Sequence, residues 1–347
     1  MTALAEAIKK VATGQHLSKD LSVEEARLAT TEILSGEADE VQAAIFFIAM
    51  RMKIETNDEN LGILQALQAY TSQEQADVEQ LMTISDPFNG FNRHCPVMAF
   101  LPPVLAAAGL PTVSQGVERM GPKFGVTHSQ VLSTAGVNVD LTVKQATKRI
   151  EQTDLAWAFV DQAHASPAVF ALQDLRTRII KRPSLATLEK LVLPIKAKHN
   201  HLQIGFVHKA YPPVLAWLSQ QIGLSSALII RGIEGGILPT LREPSNNHRA
   251  LPDLVEACEL NPTGFGIQQD TRGVLPNQET VTAAETVDLA LKALNGQTGS
   301  TYDSLVYGAA SALWHTGLQA NKQQAADHVR TTINSGKALA YFERGVG

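Results

Sequence analysis

A change of rhythm near residue 80 constrains the fold more than any other feature of this sequence. Before it, apolar residues fall only at helical spacing; from about residue 82, short strand-like runs alternate with helical ones. Ser22-Val23-Glu24-Glu25 reads as a capping box, in which Ser and Glu each satisfy the other's free backbone N–H. The amphipathic run it opens continues to Leu34, and Gly36 stops it. The run 41–52 is apolar almost all round (Ala43-Ala44-Ile45-Phe46-Phe47-Ile48-Ala49-Met50), so it must be buried on several sides, in a core or a subunit interface. A further helix starts at Asn57 and carries Leu61, Ile63, Leu64 and Leu67.

Beyond the boundary the clearest strands are Thr112-Val113-Ser114, Trp157-Ala158-Phe159-Val160, Ile204-Gly205-Phe206-Val207 and Ala227-Leu228-Ile229-Ile230. Helical segments follow the first three, at 129–135, 167–180 and 212–222. Three more close the chain at 281–294, 302–315 and 322–335. The polar stretch 242–277, rich in Pro and Asn, reads as irregular. Alternation of this kind predicts an α/β fold, a mostly parallel sheet flanked by helices, with a smaller all-helical N-terminal domain.

At 347 residues the chain is long enough for two domains. The only cysteines, Cys95 and Cys258, give neither a disulfide framework nor a zinc pattern and suit a reducing compartment. With an early Glu6, no signal-like start and no apolar run of membrane length, the expectation is a soluble cytoplasmic protein. The net charge of −5 argues against a polyanionic partner, but residues 141–210 hold 11 Lys and Arg against 5 Asp and Glu. Local field, rather than total charge, decides where a polyanion docks. His164, His199, His201 and His208 fall in the same segment without metal-ligand spacing, and no metal site is expected of them.

Several stretches resemble the anthranilate phosphoribosyltransferase family. Residues 101–113, Leu-Pro-Pro-Val-Leu-Ala-Ala-Ala-Gly-Leu-Pro-Thr-Val, are similar to its helix and strand leading to a His-Gly loop. Residues 131–140 and the helix around Ala309-Ala310-Ser311-Ala312-Leu313 also match. The resemblance implies a helical domain at 1–80, joined by helices from about 165–195, an α/β domain at 81–347, and dimerisation through the helical domain, which would cover the 41–52 helix.

It also implies a chemistry whose residues are mostly missing. The family holds pyrophosphate on a Gly-Thr-Gly-Gly-Asp turn, where glycine lets backbone N–H groups approach the phosphates. Here Pro87-Phe88-Asn89-Gly90-Phe91-Asn92-Arg93 stands there, and Phe91 should obstruct that approach. Cys95-Pro96-Val97-Met98 replaces a hydroxyl-bearing phosphate and metal motif; Ser114-Gln115-Gly116-Val117-Glu118-Arg119 replaces Lys-His-Gly-Asn-Arg. Ile237-Leu238 or a neighbour takes the place of the Asp-Glu pair that binds magnesium, leaving Glu234 as one weak ligand. Phe170 stands where an anthranilate-binding Arg is expected.

Arg182-Pro183-Ser184-Leu185, Leu188-Glu189-Lys190-Leu191 and Arg231-Gly232-x-Glu234-Gly235 look like the paralogous group that includes the YbiB-type proteins. That likeness implies a homodimer binding DNA or RNA, single strands favoured, through basic residues and with low sequence specificity. The candidate contacts are Arg93, Arg119, Lys123, Arg176, Arg178, Lys181, Arg182 and Lys209, each alternatively a solvated surface charge. A vestigial cleft would be lined by Asn89, Gly90, Asn92, Gly116, His208 and Glu234. No catalytic residue and no cofactor are assigned. The alternatives are a transferase with a different substrate, which would need magnesium, and a structural dimer without a ligand.

Overall fold

The computed structural model describes residues 2–14 and 16–346. Four helices come first: α1 (Ala3–Val11), α2 (Val23–Leu34), α3 (Glu40–Lys53) and α4 (Asn57–Ala69). The Ser22 capping box opens α2, and Thr56 with Glu59 builds a second one ahead of α4. The two helices pack closely because Gly62 has no side chain. A Cβ there would lie 2.2 Å from the Val23 carbonyl oxygen.

Nine strands follow: β1 (Glu74–Gln75), β2 (Gln80–Ser85), β3 (Thr112–Gly116), β4 (Trp157–Asp161), β5 (Ile195–Lys196), β6 (His199–Gly205), β7 (Ser226–Ile230), β8 (Ser245–Leu251) and β9 (Leu254–Leu260). β1 and β5 pair alone, and the other seven form one sheet in the order β4-β3-β2-β6-β7-β8-β9. Its first five strands run parallel and the last two antiparallel.

Both faces of the parallel part of this sheet are buried. Along β7, Leu228 and Ile230 join the cluster under the Leu101–Ala107 and C-terminal helices. Ala227 and Ile229 join the opposite cluster, which runs without a break into α1–α4 and takes in Val169, Leu175, Leu185, Leu188 and Leu191. Strands buried on both sides need no apolar–polar alternation.

That explains the first two of three departures from the sequence reading. β2 begins at Gln80, just ahead of the expected onset, and carries buried Thr83 and Ser85 among its apolar residues. β6 starts five residues before Ile204 and ends at Gly205, because buried His201 and Gln203 belong to it. The stretch expected to be irregular contains the β8–β9 hairpin, closed by a two-residue turn, Pro252-Asp253, with Leu251 paired to Leu254. The segment 167–180 is also two short helices, Pro167–Phe170 and Gln173–Arg178, rather than one.

Gly62→Ala separates two effects. Helix propensity alone would stabilise the variant by about 1 kcal/mol. The contact with rigid backbone reverses this, and we expect a net loss of about 1–3 kcal/mol, read from chemical denaturation.

Candidate functional site

The strand order reverses between β2 and β6: the chain runs outward through β3 and β4, then returns to the other side of β2. In open α/β sheets such a switch point opens a crevice beyond the carboxyl ends of the strands. A cleft lies there, lined by Pro87, Phe88 and Asn89 after β2, by Phe206, Val207 and His208 after β6, and by Glu234 and Gly235 after β7. Its far wall is Arg182, Pro183, Ala186, Thr187, Glu189 and Lys190, with Arg51 from α3.

The Glu234 turn is held by glycines. A Cβ on Gly205 would meet the Gly236 oxygen at 2.0 Å, and one on Gly232 would meet the same atom at 1.7 Å. Glu234 itself adopts a left-handed backbone, φ 53°. Its side chain is 2% exposed and turns into the loop after β2. One carboxylate oxygen accepts from the backbone N–H groups of Arg93 (2.9 Å) and His94 (3.0 Å) and lies 3.3 Å from His94 Nδ1. The other accepts from Asn92 N–H (3.1 Å) and Lys123 Nζ (2.8 Å). Burial opposes the charge. The bonds from His94, Lys123 and the Asn92 amide outweigh it and hold this carboxyl far below the usual carboxylate range.

Beneath the cleft lies a layer of buried charge. Arg176 is 2% exposed and grips Glu189 with two hydrogen bonds of 2.7 and 2.8 Å. Lys190 is buried beside it, and Nζ donates to the Gly205 carbonyl at 2.7 Å. The Glu189-Lys190 pair set inside Leu185…Leu188 and Leu191-Val192-Leu193 was the signal that these charges are interior, and the sequence reading left Lys190 out of the candidate site. Arg51, also missed, reaches the cleft and donates to the Arg182 carbonyl oxygen.

The structure divides the candidate cations into three kinds. Arg93, Arg119, Lys181, Arg182 and Lys209 are exposed, with Arg119 over the Phe124 ring and Arg93 Nε 3.9 Å from a Glu234 oxygen. Arg178 is exposed but paired with Glu40 and Asp174. Lys123 is half-buried on Glu234, and Arg176 is interior and inaccessible to a polyanion. Asn89 and His208 line the cleft, and Gly90 (φ 72°) packs its backbone against Gly125. Gly116 is buried at the end of β3, where a Cβ would stand at an ordinary 3.5 Å from Phe159. Phe91 is buried with its ring below Gly236 and Lys123, and it does not keep a carboxylate from the 92–94 amides, contrary to the obstruction expected of it.

Ile237 and Leu238 are buried in the apolar cluster. No group of three or more His, Cys, Asp or Glu among the described residues converges so as to hold a metal ion. At this turn Ile237 and Leu238 offer no oxygen donor and both Glu234 oxygens are engaged by the chain, so the residues do not fit the carboxylate pair that the resemblance implies for magnesium. The clustered histidines do not meet either: His164 pairs with Asp140, His199 with Glu79, and buried His201 with Ser226. Phe170 packs on Phe88, Val117 and Met120.

The sequence profile described as "Glycosyl transferase family, a/b domain" matches residues 92–339, and the one described as "Glycosyl transferase family, helical bundle domain" matches residues 5–71. The chain belongs to this glycosyl transferase family. Among its relatives are the anthranilate phosphoribosyltransferase of Methanobrevibacter smithii, 26% identical with 98% of both chains covered, and that of Pelotomaculum thermopropionicum, 29% identical with 97% and 94% covered. An uncharacterized protein of Aquifex aeolicus is 25% identical, with 91% and 94% covered. The fold agrees with the anthranilate phosphoribosyltransferase of Thermus thermophilus at a TM-score of 0.80 and 18% identity, over 100% of this chain and 98% of that one. No helix among the described residues of this family member is long and apolar enough to cross a membrane.

Burial pushes the Lys190 amine down to about 8, against the attraction of Asp86 and Glu189. Between about pH 8 and the ordinary value of 10.5, the unfolded chain holds more protons here than the folded one. The wild type should therefore gain stability relative to Lys190→Met as pH rises through that window, at up to about 1.4 kcal/mol per pH unit. Denaturation curves of both proteins at pH 7.5 and 10 check this, and a constant difference would exclude it.

Proposed function

We propose that this glycosyl transferase family member binds nucleic acid, single strands in preference, as a cytoplasmic homodimer, and does not transfer phosphoribosyl groups. The observation that carries the reading is the fate of the carboxylates. Apolar Ile237 and Leu238 stand where the resemblance puts a magnesium-binding pair, and both oxygens of Glu234 are engaged by the chain itself. What the cleft keeps is positive charge. Arg51 and Arg182 line it and are exposed to solvent, whereas Arg176 and Lys190 are buried on Glu189 and the Gly205 carbonyl and are out of reach of a polyanion. Exposed Arg93, Arg119, Lys181 and Lys209 extend the basic surface around it. Cations of this kind bind phosphates by releasing condensed counterions, which gives affinity without much sequence preference.

A 30-nucleotide single-stranded DNA should shift in a native gel at low salt and be released at moderate salt. Each phosphate contact contributes about −0.7 to the slope of log K against log salt. The triple variant Arg93→Ala/Arg119→Ala/Arg182→Ala should flatten that slope by about 2. Unchanged mobility of the DNA at low salt would remove the reading.

The second reading, phosphoribosyl transfer to an acceptor other than anthranilate, is favoured by the full-length match to relatives that are anthranilate phosphoribosyltransferases. Release of pyrophosphate from phosphoribosyl diphosphate with magnesium, at saturating substrate, would establish it and displace the first.

Dimerisation is supported by α3. Val41, Ile45 and Met52 follow one another at helical spacing and are 65%, 44% and 76% exposed, an apolar stripe of the kind that marks an interface. Ile45→Asp should convert the sedimenting species from dimer to monomer without loss of helical signal.

A further inference from the structure

The loop after β2 is an oxyanion site filled from within. Three consecutive backbone N–H groups, of Asn92, Arg93 and His94, converge on one carboxylate, as in the backbone nests that hold phosphate. The His94 ring and the Lys123 ammonium complete the ring of donors. Lys123 also donates to the Gly90 carbonyl, so the same cation ties the loop to the 121–126 segment. Antiparallel bonds between Phe91 and Val126 hold the two segments in register. The carboxylate reaches this place only because Glu234 takes a left-handed backbone, which side chains other than glycine seldom adopt. A donor set of this geometry is unsatisfied without an anion, and the chain supplies its own.

We propose that Glu234 is an intramolecular anion that occupies this nest and bars inorganic phosphate and other small oxyanions from it. The inference does not depend on nucleic-acid binding: the close donors are backbone amides, the His94 ring and Lys123, and of the exposed arginines only Arg93 approaches the carboxylate, at 3.9 Å. It assigns Glu234 a blocking role instead of metal binding.

The test replaces the plug. Glu234→Gly removes the carboxylate and suits the left-handed backbone, so the turn is retained. In calorimetric titration with sodium phosphate, against sodium chloride at matched ionic strength, the variant should bind one phosphate per chain at least about tenfold more tightly than the wild type. The double variant Glu234→Gly/Lys123→Ala should lose that binding. A folded glycine variant with no more affinity for phosphate than the wild type would overturn the proposal and leave Glu234 a structural staple. A second measurement uses the wild type alone. Its Asn92, Arg93 and His94 amides should be protected from hydrogen exchange, and their NMR shifts should not move on addition of phosphate. Rapid exchange, or movement with phosphate, would equally overturn it. Oligonucleotide titration of the glycine variant separates the sources of phosphate: if the nest accepts only the small ion, DNA affinity stays at the wild-type value.

Discussion

Backbone-to-backbone contact at the ends of β6 and β7 governs everything around the cleft. Gly205, Gly232 and Gly236 approach so closely that any side chain on the first two would collide with the Gly236 carbonyl. The contact compresses the turn after β7 into a knot fixed by bonds from Gly235 to Gly232 and from Ile237 to Asp86. One consequence is that Ile237 and Leu238 are drawn into the apolar cluster. Another is that Glu234 is aimed at the loop after β2, so loops from three different strands are locked together by one carboxylate.

Charge in this protein is sorted by depth, and that sorting matters more than its sum. The chain is acidic overall, yet its middle third is basic. Part of that basic character is structural: Arg176 neutralises Glu189 in the interior, and Lys190 braces the end of β6 through Gly205. Buried pairs of this kind are costly to break and contribute little field outside. Near the cleft loops, the cations that reach solvent include Arg93, Arg119, Lys181, Arg182 and Lys209.

Much of the architecture is written in local pattern. The capping box at Ser22 and the stop after Leu34 place α2 to the residue, and the apolar runs 112–114, 157–160 and 227–230 all fall in strands. What local pattern could not convey was β2, the middle of the five parallel strands. A strand buried on both faces, short and carrying Thr83 and Ser85, has neither alternation nor a purely apolar run to announce it. The site was half legible for a related reason. The apolar character of Ile237 and Leu238 can be read from residue type alone. The engagement of Glu234 depends on a φ angle and on amides 140 residues away, for which sequence carries no local signal.

The burial of Ile237 bears on the history of such a site. Restoring an acidic pair at 237–238 would set two carboxylates inside an apolar cluster, at a desolvation cost of several kcal/mol per ion before any metal arrived to offset it. Each reverting step would therefore pass through a less stable chain. The turn is thereby constrained from within, and the surface around the cleft is far freer to vary than its buried apolar pair.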